Sequence, residues 1–334
     1  METENLQTLP PPPGVIDSLK AGFDAIATNI ALILFPVGLD LLLWLGPRLH
    51  VKELFAPVLT ALSKNYAASG LEVEQLTAIQ ILLDSFTAFL ENFNLLSMVR
   101  TFPIGIFSLM SGIMPSDTPL GTPIGFQLKT EPAVMLWTGI FVFVGWILGG
   151  LFFQQVANRI KRTDEKAPVK AGLAIGQTIL FSLLSMAVSF SISVPLLFVV
   201  VRIASISPML AQGIFLVFAA LSMWLIVPFF FMPHGMFMEG QNVFVSIFSS
   251  LRLARFTLPT SSLFVLSVLL LSIGMNFLWA IPAPNSWMTL VGIAGHAFVS
   301  TSLLAASFIY YRNITAWLQT VLDKIKNAVP AQQA

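Results

Sequence analysis

The 334-residue chain contains no cysteine and only 10% Asp, Glu, Lys and Arg together. The missing cysteine excludes disulfides, thiolate metal sites, cysteine nucleophiles and the usual iron–sulfur ligands. A soluble domain carries about 25% charged residues, so this chain lacks the polar surface that a water-soluble fold of ordinary composition needs. The net charge is +1, which leaves no basic field to attract a polyanion, and no nucleic-acid partner is expected. Catalytic signatures are also missing. The three histidines, His50, His234 and His296, stand in separate segments, and there is no HExxH, GxSxG or Walker A pattern. No cofactor and no metal site are expected.

What is present is apolar sequence, 56% of the chain. A membrane-crossing helix needs about 20 apolar residues, because each residue advances 1.5 Å through a hydrocarbon layer about 30 Å thick. Long intervals without charge mark 133–156, 174–201 and 210–231. From Arg255 to Arg312 there is no Asp, Glu, Lys or Arg at all, and Pro282, Pro284, Asn285 and Ser286 divide that interval into 262–281 and 290–311. Near the start, 27–45 is apolar apart from Asp40. The runs are continuous rather than alternating, which selects helices over a β-barrel. The expected fold is therefore all-α: a polytopic membrane helix bundle with six transmembrane helices.

Lysine and arginine set the orientation. Arg159, Lys161, Arg162, Lys166 and Lys170 follow span two; Arg252 and Arg255 follow span four; Arg312, Lys324 and Lys326 follow span six. The opposite short loops hold only Arg202. This bias predicts an N-in/C-in protein of the plasma membrane, with residues 47–132 as an external insertion and 312–334 as a cytoplasmic tail. Trp44, Trp137, Trp279 and Trp287 fall at the outer ends of spans, as in an interfacial belt, and Tyr310, Tyr311 and Trp317 at the inner end of span six.

Residues 1–14 read as a disordered Pro-rich tail without the cationic start and apolar core of a cleavable signal. Val15 to Asn29 is amphipathic, with Ile16, Leu19, Phe23 and Ile26 on one face, and is expected to lie on the membrane before turning into span one. Asn242 to Phe256 is expected to act likewise before span five. In the external insertion, Leu76, Ile79, Leu83, Phe86, Leu90 and Phe93 recur at helical spacing within 71–99. Thr101 to Met114 is apolar but too short to span and reads as interfacial or re-entrant. Membrane lipids are the expected partner of these faces, with a membrane protein or a second copy docking through 71–114 as the alternative.

Four residues form a candidate polar intramembrane layer: Asp40, Asn276, His296 and Arg202. A central aspartate costs about 2.5–3.5 kcal/mol on insertion scales and needs a partner or a wet cavity. Two readings are open, a proton, ion or head-group site and a satisfied clamp that fixes helix register. A second candidate is the hydroxyl face Thr178, Ser182, Ser185, Ser189 and Ser193, either close helix packing or the lining of a polar path. A third is Glu239 with Arg252 and Arg255, either a structural salt bridge or an anionic head-group contact.

The stretch Pro233…Glu239-Gly240…Ser249-x-x-Arg252-x-x-Arg255 before a span resembles bacterial six-span membrane families of poorly known function. They include the membrane region attached to some glycerophosphodiester phosphodiesterases. The soluble catalytic domain of those enzymes has no counterpart here, so the resemblance implies no hydrolase activity. The expected role is a non-enzymatic scaffold or accessory component of a membrane assembly, the alternative a small transporter or lipid-handling protein.

Overall fold

A computed structural model describes residues 10–70, 72–161, 167–204 and 206–328. The first nine residues of the Pro-rich tail, Leu71, Arg162 and Lys166 of the basic loop, and the last six residues of the C-terminal tail lie outside the described residues. The helices are α1 (Val15–Ala27), α2 (Leu34–Leu45), α3 (Lys52–Ala67), α4 (Val73–Asn92), α5 (Met110–Ile113), α6 (Glu131–Ile160), α7 (Ala171–Ala204), α8 (Pro208–Met238), α9 (Val243–Trp279) and α10 (Thr289–Ala328). Strands β1 (Arg48–His50) and β2 (Gly125–Gln127) pair in parallel, Arg48 opposite Gly125. The all-α class is therefore observed, and α6 to α10 are each long and apolar enough to cross a membrane.

The first expected span, 27–45, is observed from Ile30 to Leu45, after a break at Thr28–Asn29 where the amphipathic α1 ends. Thr28 Oγ1 donates to the Ala25 carbonyl and Asn29 Nδ2 to the same oxygen, which ends α1. A 3-10 turn, Ile30–Ile33, then leads into α2. The stretch counts as a span only if the pieces on either side of the break are taken together, which gives five or six crossings by length and composition. The elbow expected at 242–256 is continuous with span five in α9, because its only backbone breaker, Pro259, is accommodated inside the helix. Likewise Pro233 and Gly235 belong to the last turns of α8, and the turn begins only at Glu239.

The chain divides into two compact units. In the first, comprising residues up to 32, 150–274 and 299 onward, the core is α10, where every residue from Thr301 to Tyr311 is buried. Small side chains there admit close neighbours. A Cβ on Gly22 of α1 would meet the Ala306 nitrogen at 2.5 Å. Larger rings fill the rest: Phe264 stacks on Tyr310 at 4.0 Å and 6°, and Phe153 meets Phe237 and Phe308. By contrast, α7 has no buried residue from Leu183 to Ala204, nor α8 from Gln212 to Ile226. Their exposed Leu, Val and Phe side chains suit a lipid environment.

The second unit covers 33–149 and 275–298. Its α3 and α4 form a hairpin that the sequence reading anticipated only in α4; α3 has no buried residue. Segment 101–109 is not helical, yet Ile104, Ile106 and Leu109 are almost fully buried. It lies against α6 at Gly145 and Gly149. A Cβ on Gly149 would stand 2.7 Å from the Gly105 Cα, and one on Gly145 would collide with the Val99 carbonyl. The two α6 glycines thus make room for a stretch of irregular backbone, which in a membrane protein is tolerated where protein buries it.

Candidate functional site

Irregular backbone inside a bundle has N–H groups with no helical partner, and each one left alone is costly. Asp40, on α2 and with no exposed surface, meets this need. Its Oδ1 accepts from Ser108 Oγ and from the Met110 N–H at 3.0 Å, and its Oδ2 accepts from the Leu109 N–H at 3.1 Å. Ser108 Oγ in turn accepts from the Ser111 N–H at 3.1 Å, and Ser111 Oγ accepts from Arg100 Nη1 at 2.9 Å. The carboxylate ties the inserted segment to α2.

His296 on α10 also faces this carboxylate, its Nδ1 lying 3.7 Å from Asp40 Oδ2. That separation is beyond hydrogen-bond reach. Asp40 and His296 are thus the two members of the predicted polar layer that the structure brings together. Asn276 belongs to the same unit but is exposed on α9, and Arg202, exposed near the end of α7, belongs to the other unit.

Nearby, Trp44 is fully buried rather than lining an exposed belt. Its Nε1–H donates to the Pro284 carbonyl at 2.8 Å, and its ring meets the exposed Trp287 edge-on at 6.0 Å. Trp279 packs across α10, where a Cβ on Gly295 would meet its ring at 2.5 Å.

The hydroxyl face of α7 is buried at one end only. Thr178 and Ser182 are buried, Ser185 half-buried, Ser189 and Ser193 exposed. Thr178 Oγ1 donates to the Ala174 carbonyl and fills the space beside Gly150 of α6, so its part of the face serves a helix crossing. At the end of α8, Glu239 is half-buried, while Arg252 and Arg255 are exposed one turn apart on α9.

A second buried polar cluster lies around His234, in the part of α8 that continues beyond the expected span 210–231. Ser307 Oγ donates to the Leu304 carbonyl at 2.7 Å and lies in hydrogen-bond contact with His234 Nε2 at 2.8 Å. Phe230, Phe231, Phe308 and Tyr311 surround the imidazole, the Phe308 centroid 4.6 Å away. The run Phe229-Phe230-Phe231 just ahead of Pro233 was the available signal that this stretch continues a packed helix.

Two cavities open in the molecule, and neither is lined by Asp40 or His296. One, of about 10 Å³, is lined by Leu43, Arg48, Asn94 and Ser111 and has room for about one water. The other, of about 270 Å³, is an open groove between α3 and α4 lined by Tyr66, Leu76, Gln80 and Leu83. Among the described residues no group of three His, Asp or Glu side chains stands together as a metal site. No family model, curated protein or solved structure matches this chain.

Proposed function

We propose that this protein is a non-enzymatic scaffold or accessory component of a membrane assembly. In this reading it crosses the plasma membrane six times with both termini in the cytoplasm, and its first crossing is the broken stretch around Thr28–Asn29. The observation that carries the reading is the use to which Asp40 is put. The most costly side chain in the apolar sequence spends its acceptors on Ser108, Leu109 and Met110, holding a folded segment in place. The chain invests its buried polarity in holding a shape, and a protein that presents a shape acts by being bound. The exposed surface within 71–114 is where a membrane partner, or a second copy, would dock.

Purification from native membranes in a mild detergent tests the proposal. A stoichiometric second polypeptide that survives native mass spectrometry is the expected result. A clean monomer across several mild detergents overturns it.

One observation favours a second reading, a small transporter or lipid-handling protein: Asp40 and His296 lie 3.7 Å apart and are both buried. Proton or lipid flux into proteoliposomes that falls in Asp40→Asn, with the fold intact, would establish it. Unchanged flux removes the pair from any transport role.

A further inference from the structure

The α3–α4 hairpin has two unlike faces. Helices of about 3.6 residues per turn place each residue about 100° on from the last. On α3, the residues that the helix pairing shields are Ala56, Leu59 and Ser63; on α4 they are Leu76, Ile79 and Leu83. A quarter turn from these, Phe55, Val58 and Leu62 emerge on α3, and Leu82, Phe86 and Phe89 on α4. The two helices run antiparallel, so both stripes come out on the same side of the hairpin. All six side chains are exposed, Val58 by 55% and Leu82 by 69%. Most charges fall on the other side, Glu53 and Lys64 on α3 and Asp84 and Glu91 on α4, with the exposed Val73 and Ile81 toward them and Glu74 at the outer edge. The ion pairs follow them there, Lys52–Glu91 at 2.6 Å joining the two helices and Lys129–Glu53 at 3.2 Å joining α3 to the chain beyond β2.

We propose that this hairpin lies on the bilayer surface, with Phe55, Val58, Leu62, Leu82, Phe86 and Phe89 sunk into the boundary between head groups and acyl chains and the charged face turned to water. Two observations select lipid over a protein. First, charge is sparse at the edge of the stripe, where Glu74 of α4 stands. Protein interfaces use a polar rim to set register and exclude wrong partners. A lipid surface demands only an apolar face and a polar face on opposite sides. Second, further apolar side chains are exposed where the chain pairs with β1 at the foot of the hairpin, Ile124 beside Arg48 and Phe126 on β2. The inference rests on the chain being a membrane protein, not on which side its termini lie. It leaves the charged face free for the assembly partner proposed above.

The absence of natural cysteine gives a direct test. Single-cysteine variants of the full chain, Val58→Cys and Phe86→Cys on one face and Lys64→Cys and Asp84→Cys on the other, are labelled with an environment-sensitive fluorophore and reconstituted into phosphatidylcholine vesicles. All four positions are exposed, so the fold should accept them. Labels at 58 and 86 should be quenched by lipid carrying a spin label on its acyl chain and be several-fold less sensitive to aqueous iodide than labels at 64 and 84. Equal iodide quenching on both faces overturns the proposal, because the hairpin then stands in water. Protection from iodide without quenching by spin-labelled lipid also overturns it, because protein, here a second copy, then covers the face. The purified chain contains no partner, so either failure leaves the scaffold proposal standing on its own test.

Discussion

Gly22 of α1 touches Ala306 of α10 backbone to backbone: a Cβ at position 22 would stand 2.5 Å from the Ala306 nitrogen and 2.6 Å from its Cα. No rotamer change relieves such a contact, because both obstructing atoms are main chain. Gly22→Val should therefore destabilise the protein by about 1–3 kcal/mol, as overpacking does. Gly176 on α7 is the control. Nothing lies within 4 Å of a Cβ built there, so Gly176→Ala should be neutral or stabilise by up to about 1 kcal/mol through helix propensity. Thermal unfolding in detergent reads both. Equal midpoints for the two variants would remove the α1–α10 crossing from the stability of the fold.

The Asp40 carboxylate is predicted to be a structural group first. Asp40→Asn keeps one acceptor oxygen and turns an amide N–H₂ toward donors, while Asp40→Ala leaves the Ser108 hydroxyl and the Leu109 and Met110 amides without an acceptor. Each orphaned donor costs about 1–3 kcal/mol, so alanine should be the more damaging change. Segment 101–114 should loosen before the rest, and limited proteolysis should cut there in both variants. Wild-type midpoints with wild-type proteolysis would show that the segment is held by other contacts.

How far the sequence disclosed these features depends on the range of the interaction. Helices α6 to α10 were legible because hydropathy is a local property and lipid imposes a minimum length. Helix α3 was not. Its Phe55, Val58, Leu62 and Tyr66 have helical spacing, but Pro57 and the mixed charges obscure it, and its packing depends on α4 across the turn. Segment 101–114 was recognised as apolar and non-spanning. Composition alone cannot separate a segment resting on lipid from one threaded against Gly145 and Gly149. Asp40 announced its own cost, whereas its donors lie about 70 residues further on, and their identity was not local information. Pro233 and Gly235 hide the continuation of α8 past residue 231, and rings packed around His234 keep that stretch helical.

Protonation of His50 is predicted to weaken the fold. Partial burial in β1 pushes its pKa below 6.5, and the neighbouring Arg48 pushes in the same direction, against a bond to the Phe93 backbone. The unfolded chain takes up the proton near 6.5, more readily than the folded one does. The contribution of His50 is therefore complete above pH 6.5 and is lost as pH falls through the folded value. The unfolding midpoint should drop between pH 7.5 and 5, and His50→Gln should drop less over the same range. Identical slopes for variant and parent would exclude His50 as the source.

Arg312 is predicted to act as a cap in trans for α6. The last carbonyls of any helix lack intrahelical partners, and the helix dipole gives that end a partial negative charge. Ile160 is the last residue of α6, and its carbonyl accepts from Arg312 Nη1 of α10 at 2.9 Å. The guanidinium is half-buried, so water competes only in part. Arg312→Gln loses both the reach and the charge and should cost about 1–2 kcal/mol. Arg312→Lys keeps the charge but not the planar fork and should fall between. The change should be local: hydrogen exchange of the amides from Asn158 to Lys161 should accelerate in Arg312→Gln while those in the middle of α6 do not change. Uniform acceleration along α6 would mean that Arg312 holds the helix in place rather than closing its end, and no acceleration would mean that Ile160 is satisfied without it.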